Sequence, residues 1–327
     1  MATAAEDLID RRRLRRKLSF WRMSALVVLA LAVVAISLVA GLPGQGAGGR
    51  DQIARVDIHG TVTENERLLR LLDRLRTENS VRAVVLSIDS PGGTTAGGEA
   101  VYEAVRKIAA VKPVAAEVGG TAASAAYLIA SGTDHIVARR TSIVGSIGVL
   151  FQYADASKLL DTVGVEVNAI KSAPLKAEPS PFAPAPEAAK DMIRRLVMDT
   201  YDWFVSVVAQ RRKISLDDAR ALADGSVFSG RQGLANKLVD AIGGEDEVRR
   251  WLESERNVRP GLDFVDRKPE KDGFHWPLFS AARSAIYGAL GLDPAAGSLQ
   301  EAVFGQIGHL DGLVSLWQPS QGRVGLQ

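Results

Sequence analysis

The stretch Ala83-Val84-Val85-Leu86-Ser87-Ile88-Asp89-Ser90-Pro91-Gly92-Gly93 decides how the chain reads. Residues 83–88 form a nearly continuous apolar run, which suits a strand covered on both faces rather than one half in water. Asp89 to Gly93 reads as a turn, and a helix is expected over about 97–110. The cycle then repeats, with a strand over 114–118, a turn at Gly119-Gly120, a helix over 124–131 and a strand over 136–138. Upstream, 53–58 alternates apolar and polar residues as a half-buried strand does. Leucines at 68, 69, 71, 72 and 75 make a helical stripe. Downstream, a short helix over 154–160 and a strand over 165–170 are expected. Strands alternating with helices argue for an α/β domain built on a largely parallel sheet. From Glu187 the pattern becomes helical: 187–212, a capped helix opened by Ser215, then 230–238 and 245–255. No internal repeat is visible.

The N-terminus has a different character. Arg11, Arg12, Arg13, Arg15, Arg16, Lys17 and Arg22 precede an uncharged apolar run from Met23 to Ala40. Eighteen helical residues span roughly 27 Å, enough to cross most of a hydrocarbon core. The run exceeds a signal-peptide core and offers no clear cleavage site, so it reads as an uncleaved anchor. Its basic flank puts the N-terminus in the cytoplasm and the remainder on the far side of the membrane. The expected organisation is a cytoplasmic basic segment (1–22), a transmembrane anchor (23–40), a glycine-rich tether (41–51), a globular domain (52–258) and a C-terminal extension of unassigned role (259–327). A net charge of +2, with no basic run in the globular part, argues against a nucleic-acid partner. Cysteine is absent, so no disulfide contributes. No metal or organic cofactor is implied.

Ser124 lies among small residues, Gly119-Gly120-Thr121-Ala122-Ala123-Ser124-Ala125-Ala126-Tyr127, where a strand gives way to a helix. A serine hydroxyl attacks only when a base takes its proton. His59, His135, His275 and His309 show no triad-like context and read as structural. A desolvated lysine can replace histidine, whereas arginine cannot lose its proton. Of the 11 lysines, Lys176 stands out, in a loop after Ala173-Pro174-Leu175 and before Pro179, Pro181, Pro184 and Pro186. From spacing alone a solvated loop lysine is the commoner outcome, and Lys171 is a neighbouring rival. The Ser90-Pro91-Gly92-Gly93 turn could point backbone N–H groups at an anion. It is not a phosphate loop, because Glu99 rather than Lys and Ser/Thr follows the glycines.

Four motifs in order, Ser90-Pro91-Gly92-Gly93, Ala122-Ala123-Ser124-Ala125-Ala126-Tyr127, Thr141 to Val149 and Lys171 to Lys176, resemble the SppA-type signal peptide peptidases, membrane-bound bacterial serine proteases. The likeness covers roughly 52–256. It implies a ClpP/crotonase-like α/β fold of repeated ββα units and a Ser–Lys dyad. By position, Ser124 would be the nucleophile and Lys176 the general base. Ser146 would orient the lysine amine, and the N–H groups of Gly93 and Ala125 would form the oxyanion hole. Family members often carry glycine after the serine, where this chain has Ala125 and Ala126. The short, single-copy form of the family implies a homo-oligomeric ring with substrate sites near subunit boundaries. Peptide substrates, either remnant signal peptides or other membrane-associated segments, would be cut on the extracytoplasmic side of the inner membrane. If Lys176 is the base, activity should rise with pH as the lysine loses its proton. A crotonase-like acyl-CoA enzyme and a catalytically silent membrane scaffold are the other readings.

Overall fold

The computed structural model describes residues 50–270 and 314–316, together with Trp21, Met23 to Ala25, Val27 and Val28 in a helix. Most of the expected anchor, the tether over 41–49, and most of the extension lie outside the described residues. Among those described, no helix is long and apolar enough to cross a membrane. The chain divides into a unit over Met1–Arg50 and a unit over Asp51–Gln327. The second contains the sheet and helices that follow.

Its centre is a set of parallel strands: β1 (Gln52–Val62), β2 (Val81–Thr94) and β3 (Val114–Ala123), with β2 in the middle. Each buries both faces, as the apolar run at 83–88 requires. Val84, Leu86 and Ile88 enter one core with Val114, Ala116 and Val118, while Ala83 and Val85 enter a second core with Ile53 and Ala115. The larger core is roofed by α1 (Glu66–Thr77), α2 (Thr95–Ala109), α3 (Ala125–Ser131) and the C-terminal half of α5 (Glu187–Arg212). Between α3 and α5 lie β4 (His135–Ala138), β5 (Ile143–Gly145) and the short α4 (Ser157–Val163). Beyond α5 follow α6 (Leu216–Ala221), β6 (Val227–Ser229), α7 (Gly230–Ala235), β7 (Ala241–Ile242), α8 (Glu245–Glu255), β8 (Asp263–Asp266) and β9 (Val314–Leu316). Trp251 and Leu252 of α8 seal the second core.

Local chemistry explains several boundaries. The Asn65 side chain caps α1 by accepting the N–H groups of Arg67 and Leu68. Leu71, Leu72 and Leu75 are buried, each contributing about 2 kcal/mol of apolar burial. Lys112 donates through Nζ to the carbonyls of Leu75 and Glu78 at the other end of that helix. Burial there lowers its pKa, so this perturbed lysine serves α1 rather than a cleft.

Two expectations need correction. The glycine pairs 92–93 and 119–120 do not end strands, because β2 continues to Thr94 and β3 to Ala123. The ladders absorb the irregular residues as register shifts, between His59 and Thr61 on β1 and between Ile88 and Ser90 on β2. Pro91 falls in the shift against β1, between the pairs His59↔Asp89 and Thr61↔Gly92, where no regular pairing needs its N–H. The strand expected over 165–170 does not form. Those residues have no ladder partner among the described residues and lie exposed, Ile170 entirely so. Alternation of apolar residues describes a face to be covered, and in this chain no described strand pairs with it.

Candidate active site

Strands β3 and β5 bring the two serines together. β3 pairs in parallel with β5 through Thr121↔Ile143, Ala122↔Val144 and Ala123↔Gly145. One residue beyond the last pair, Ser124 follows on β3 and Ser146 on β5. Both have positive φ, 58° and 50°, a region that costs a non-glycine residue about 1–3 kcal/mol. Tertiary hydrogen bonds hold them there. Ser124 N–H donates to the Gly145 carbonyl at 2.8 Å, and Ser146 N–H donates to the Ser226 carbonyl at 2.8 Å. Ser124 is 2% exposed, and its side chain makes no capping bond to α3. Its carbonyl accepts Leu128 N–H at 3.0 Å, the first turn of that helix.

The helix behind Ser124 is fixed by close packing. All seven residues of α3 are buried. A Cβ on Gly98 would lie 3.0 Å from the Ala125 methyl, so the glycine on α2 is what lets α3 pack this closely. Tyr127 is fully buried, and its hydroxyl donates to the Leu238 carbonyl at 2.8 Å. Burial pushes that phenol's pKa up, so it remains a neutral strut.

Gly93 sits on the neighbouring strand. A Cβ there would fall 1.8 Å from the Val62 carbonyl oxygen, so only glycine permits this approach of β2 to β1. Sequence reading missed the residue that fixes this segment. Ser90 is fully buried, and its hydroxyl donates to the Gly60 carbonyl at 2.6 Å while accepting Gly92 N–H at 3.1 Å. The signal was present, since a serine before Pro-Gly-Gly can satisfy the N–H two residues on.

Ser124 and Ser146 line one cleft of about 680 Å³, together with Gly148, Val149, Leu150, Val197, Met198, Tyr201, Ala223, Asp224 and Gly225. The wall is mostly apolar, supplied by α5 and by the loop after β5. Tyr201 donates its hydroxyl to the Ala223 carbonyl at 3.0 Å, tying α5 to the loop at the rim. Hydrogen bonds from Ser226, hydroxyl first and then N–H, hold the Asp224 carboxyl below its usual range. The α5 contribution could not be read from sequence, because it depends on a long-range docking of that helix.

Lys176 stands apart. It is exposed on the segment after 171 and does not line this cleft. Its rival Lys171 is engaged by the carboxylate of Glu178, and that bond lowers the Glu178 pKa. Among the described residues, no cluster of three His, Asp or Glu side chains is placed to hold a metal ion. One chain therefore unites Ser124 and Ser146 with an apolar cleft, and sets Gly93 and Ala125 on the adjoining β2 and α3, while Lys176 remains outside.

The peptidase family S49 model matches residues 106–259, and the Clp protease model matches residues 54–152. A protein named as a protease in Synechocystis is 34% identical over 226 residues, covering 67% of this chain and 81% of the relative. One named as a protease in Methanocaldococcus jannaschii is 32% identical over 249 residues, covering 71% of this chain and 80% of the relative. A protein named signal peptide peptidase SppA in Enterococcus faecium is 29% identical over 244 residues, covering 70% of each.

Proposed function

The chain belongs to the SppA-type peptidases of family S49, serine peptidases with a ClpP-like α/β fold, and on that premise we propose that it is a membrane-anchored endopeptidase working through a Ser124–Lys176 dyad. The observation carrying this reading is Ser124 itself: a strained, buried serine at a strand-to-helix turn, opening on an apolar cleft beside Ser146. Strained backbone of this kind is kept where function requires it. Neutral Lys176 would take the Ser124 proton as the hydroxyl attacks a peptide carbonyl, then return it to the departing amine. Backbone N–H groups of Gly93 and Ala125 would hold the tetrahedral oxyanion. Ser146, already fixed by its bond to Ser226, would orient the lysine amine.

The exposure of Lys176 argues for assembly. A lysine works as a base only where burial disfavours its charge, and a single chain leaves this one in water. The same segment carries exposed Val163, Val165, Val167, Ile170 and Phe182, an apolar surface that a neighbouring copy would cover. A homo-oligomeric ring would thus bury the segment and deliver Lys176 to a Ser124 cleft. Substrates would be remnant signal peptides or other membrane-associated segments with small or apolar side chains, as the apolar wall favours. The apolar run Met23 to Ala40 and its basic flank support a single-pass anchor with the catalytic unit on the extracytoplasmic side of the inner membrane.

The test is cleavage of a fluorogenic apolar peptide by the full chain in detergent, compared with Ser124→Ala and Lys176→Ala. Both variants should lose at least about a thousandfold in kcat. Activity retained in Ser124→Ala would exclude the dyad, and activity retained in Lys176→Ala would move the base elsewhere.

A further inference from the structure

Between α4 and α5 the chain carries Lys176 on a turn that one carboxylate closes. Ser172 to Ala177 are all exposed, while Lys171 and Glu178, the residues on either side of them, are half-buried and meet. The Lys171 ammonium donates to one oxygen of the Glu178 carboxylate, and the other oxygen accepts Ser180 N–H at 2.9 Å. The Glu178 side chain is only 9% exposed, against 25% for Lys171. Within the turn, Lys176 N–H donates to the Ala173 carbonyl at 3.1 Å and Glu178 N–H to the Leu175 carbonyl at 3.3 Å. Ala177, which joins the lysine to the glutamate, has φ 61°, a conformation unfavourable for a residue with a Cβ. Beyond the turn, the Pro181 carbonyl accepts Ala156 N–H at 2.8 Å, tying the segment to the start of α4.

We propose that Glu178 is the positioning residue for Lys176: by pairing with Lys171 it closes residues 171–178 into one rigid turn and so fixes where the Lys176 amine is presented. The proposal rests on the Ser124–Lys176 reading above. A base acts only within hydrogen-bond reach of the proton it takes, and a displacement of about 1 Å at a reacting group can cost about a hundredfold in rate. A lysine side chain is long and flexible, so a mobile backbone beneath it would scatter the amine further. Exposed ion pairs usually add little. This one differs, because each carboxylate oxygen has a donor and little of the side chain meets water, where charged hydrogen bonds are strongest. The pairing also separates the two lysines of the segment by role, since Lys171 holds the turn and Lys176 rides on it. In an assembled ring the turn would reach a Ser124 cleft already shaped, with little ordering left to do.

The test measures kcat and KM for a fluorogenic apolar peptide with the full chain in detergent, comparing Glu178→Gln, Lys171→Met, the two combined, Lys171→Arg and Lys176→Ala. Glutamine keeps the length and the acceptor for Ser180 N–H but removes the charge that holds Lys171. Positioning predicts a fall in kcat of about ten- to a hundredfold in each of Glu178→Gln and Lys171→Met, with KM within about twofold. The combined variant should lose no more than the worse single one, because both changes remove the same bond. Lys171→Arg, which still donates to the carboxylate, should stay within about threefold of the parent. Sedimentation at the assay concentration checks that each variant assembles as the parent does. Unchanged kcat in Glu178→Gln overturns the proposal, as does a loss confined to KM or to assembly, which would make the pair merely structural. Losses that multiply in the combined variant, or Lys171→Arg as impaired as Lys171→Met, overturn it too. An inactive parent, or Lys176→Ala as active as the parent, sinks the dyad reading and the proposal with it. Activity lost in Lys176→Ala but kept in Glu178→Gln sinks positioning alone.

Discussion

Ser124→Gly should stabilise the fold relative to Ser124→Ala, reversing the usual order of these residues. Position 124 has φ 58° and ψ −121°, a conformation open to glycine but costing a residue with a Cβ about 1–3 kcal/mol. Alanine keeps the Cβ and so keeps the strain, while glycine removes it. Against that gain stands glycine's larger loss of chain entropy on folding, about 0.5–1 kcal/mol. Both variants lose the hydroxyl equally, so its interactions cancel in the comparison. The difference should favour glycine by about 1 kcal/mol, within a range of roughly 0–2. For a unit of this size that corresponds to about 2–4 °C in Tm. The assay is thermal or urea unfolding of the two variants at one matched protein concentration, since assembly would make Tm concentration-dependent. Neither variant should cleave peptides, so stability and activity would part company at this residue. If alanine proves the more stable by the ordinary 0.5–1 kcal/mol, the turn is unstrained and the argument from Ser124's backbone fails.

Gly93→Ala places a methyl 1.8 Å from the Val62 carbonyl oxygen, forcing β2 and β1 apart by more than about 1 Å, and kcat should fall about a hundredfold. Its unfolding free energy should fall by about 1–3 kcal/mol; peptide kinetics and urea titration read the two effects separately. His135 stacks on Trp251 with ring centroids 4.7 Å apart, and its buried Nε2 has no hydrogen-bond partner among the described residues. Burial depresses its pKa, against the smaller raising effect of Asp240 and other neighbours. The unfolded chain therefore takes up the proton first, so His135 costs stability as pH falls below its ordinary value of 6.5. His135→Phe should flatten the stability profile between about pH 6.5 and 5, measured by urea midpoints; an unchanged slope would place the titration elsewhere. Tyr127→Phe should cost about 1–3 kcal/mol, because the Leu238 carbonyl loses its donor, visible as a lower urea midpoint.

The parallel core is legible because both faces of β2 are apolar over 83–88 and the helix before it carries a leucine stripe at 68, 69, 71, 72 and 75. Helices at 187–212 and 245–255 were readable end to end, since Pro186 and Gly244 precede them. The glycine pairs were misread as turns. In this sheet they mark close approach, at Gly93 to Val62 and at Gly120 to Asp89, whose carboxylate accepts Thr121 N–H at 3.0 Å. Local composition carries no trace of that difference. The strand expected over 165–170 failed for a related reason, because period-two patterning describes a face that needs covering without saying what covers it.

Sequence by itself determined the α/β alternation, the motif order and the candidates Ser124, Ser146, Gly93, Ala125 and Lys176, since each depends on neighbours within a few residues or on a recognisable pattern. Tertiary structure decided that Ser124 and Ser146 share a cleft, that Ser90 fixes the strand beside them, and that Lys176 lies outside the cleft of its own chain. Those facts rest on pairings between residues tens to hundreds of positions apart, and strand register and helix docking, which set them, come from burial summed over the whole core.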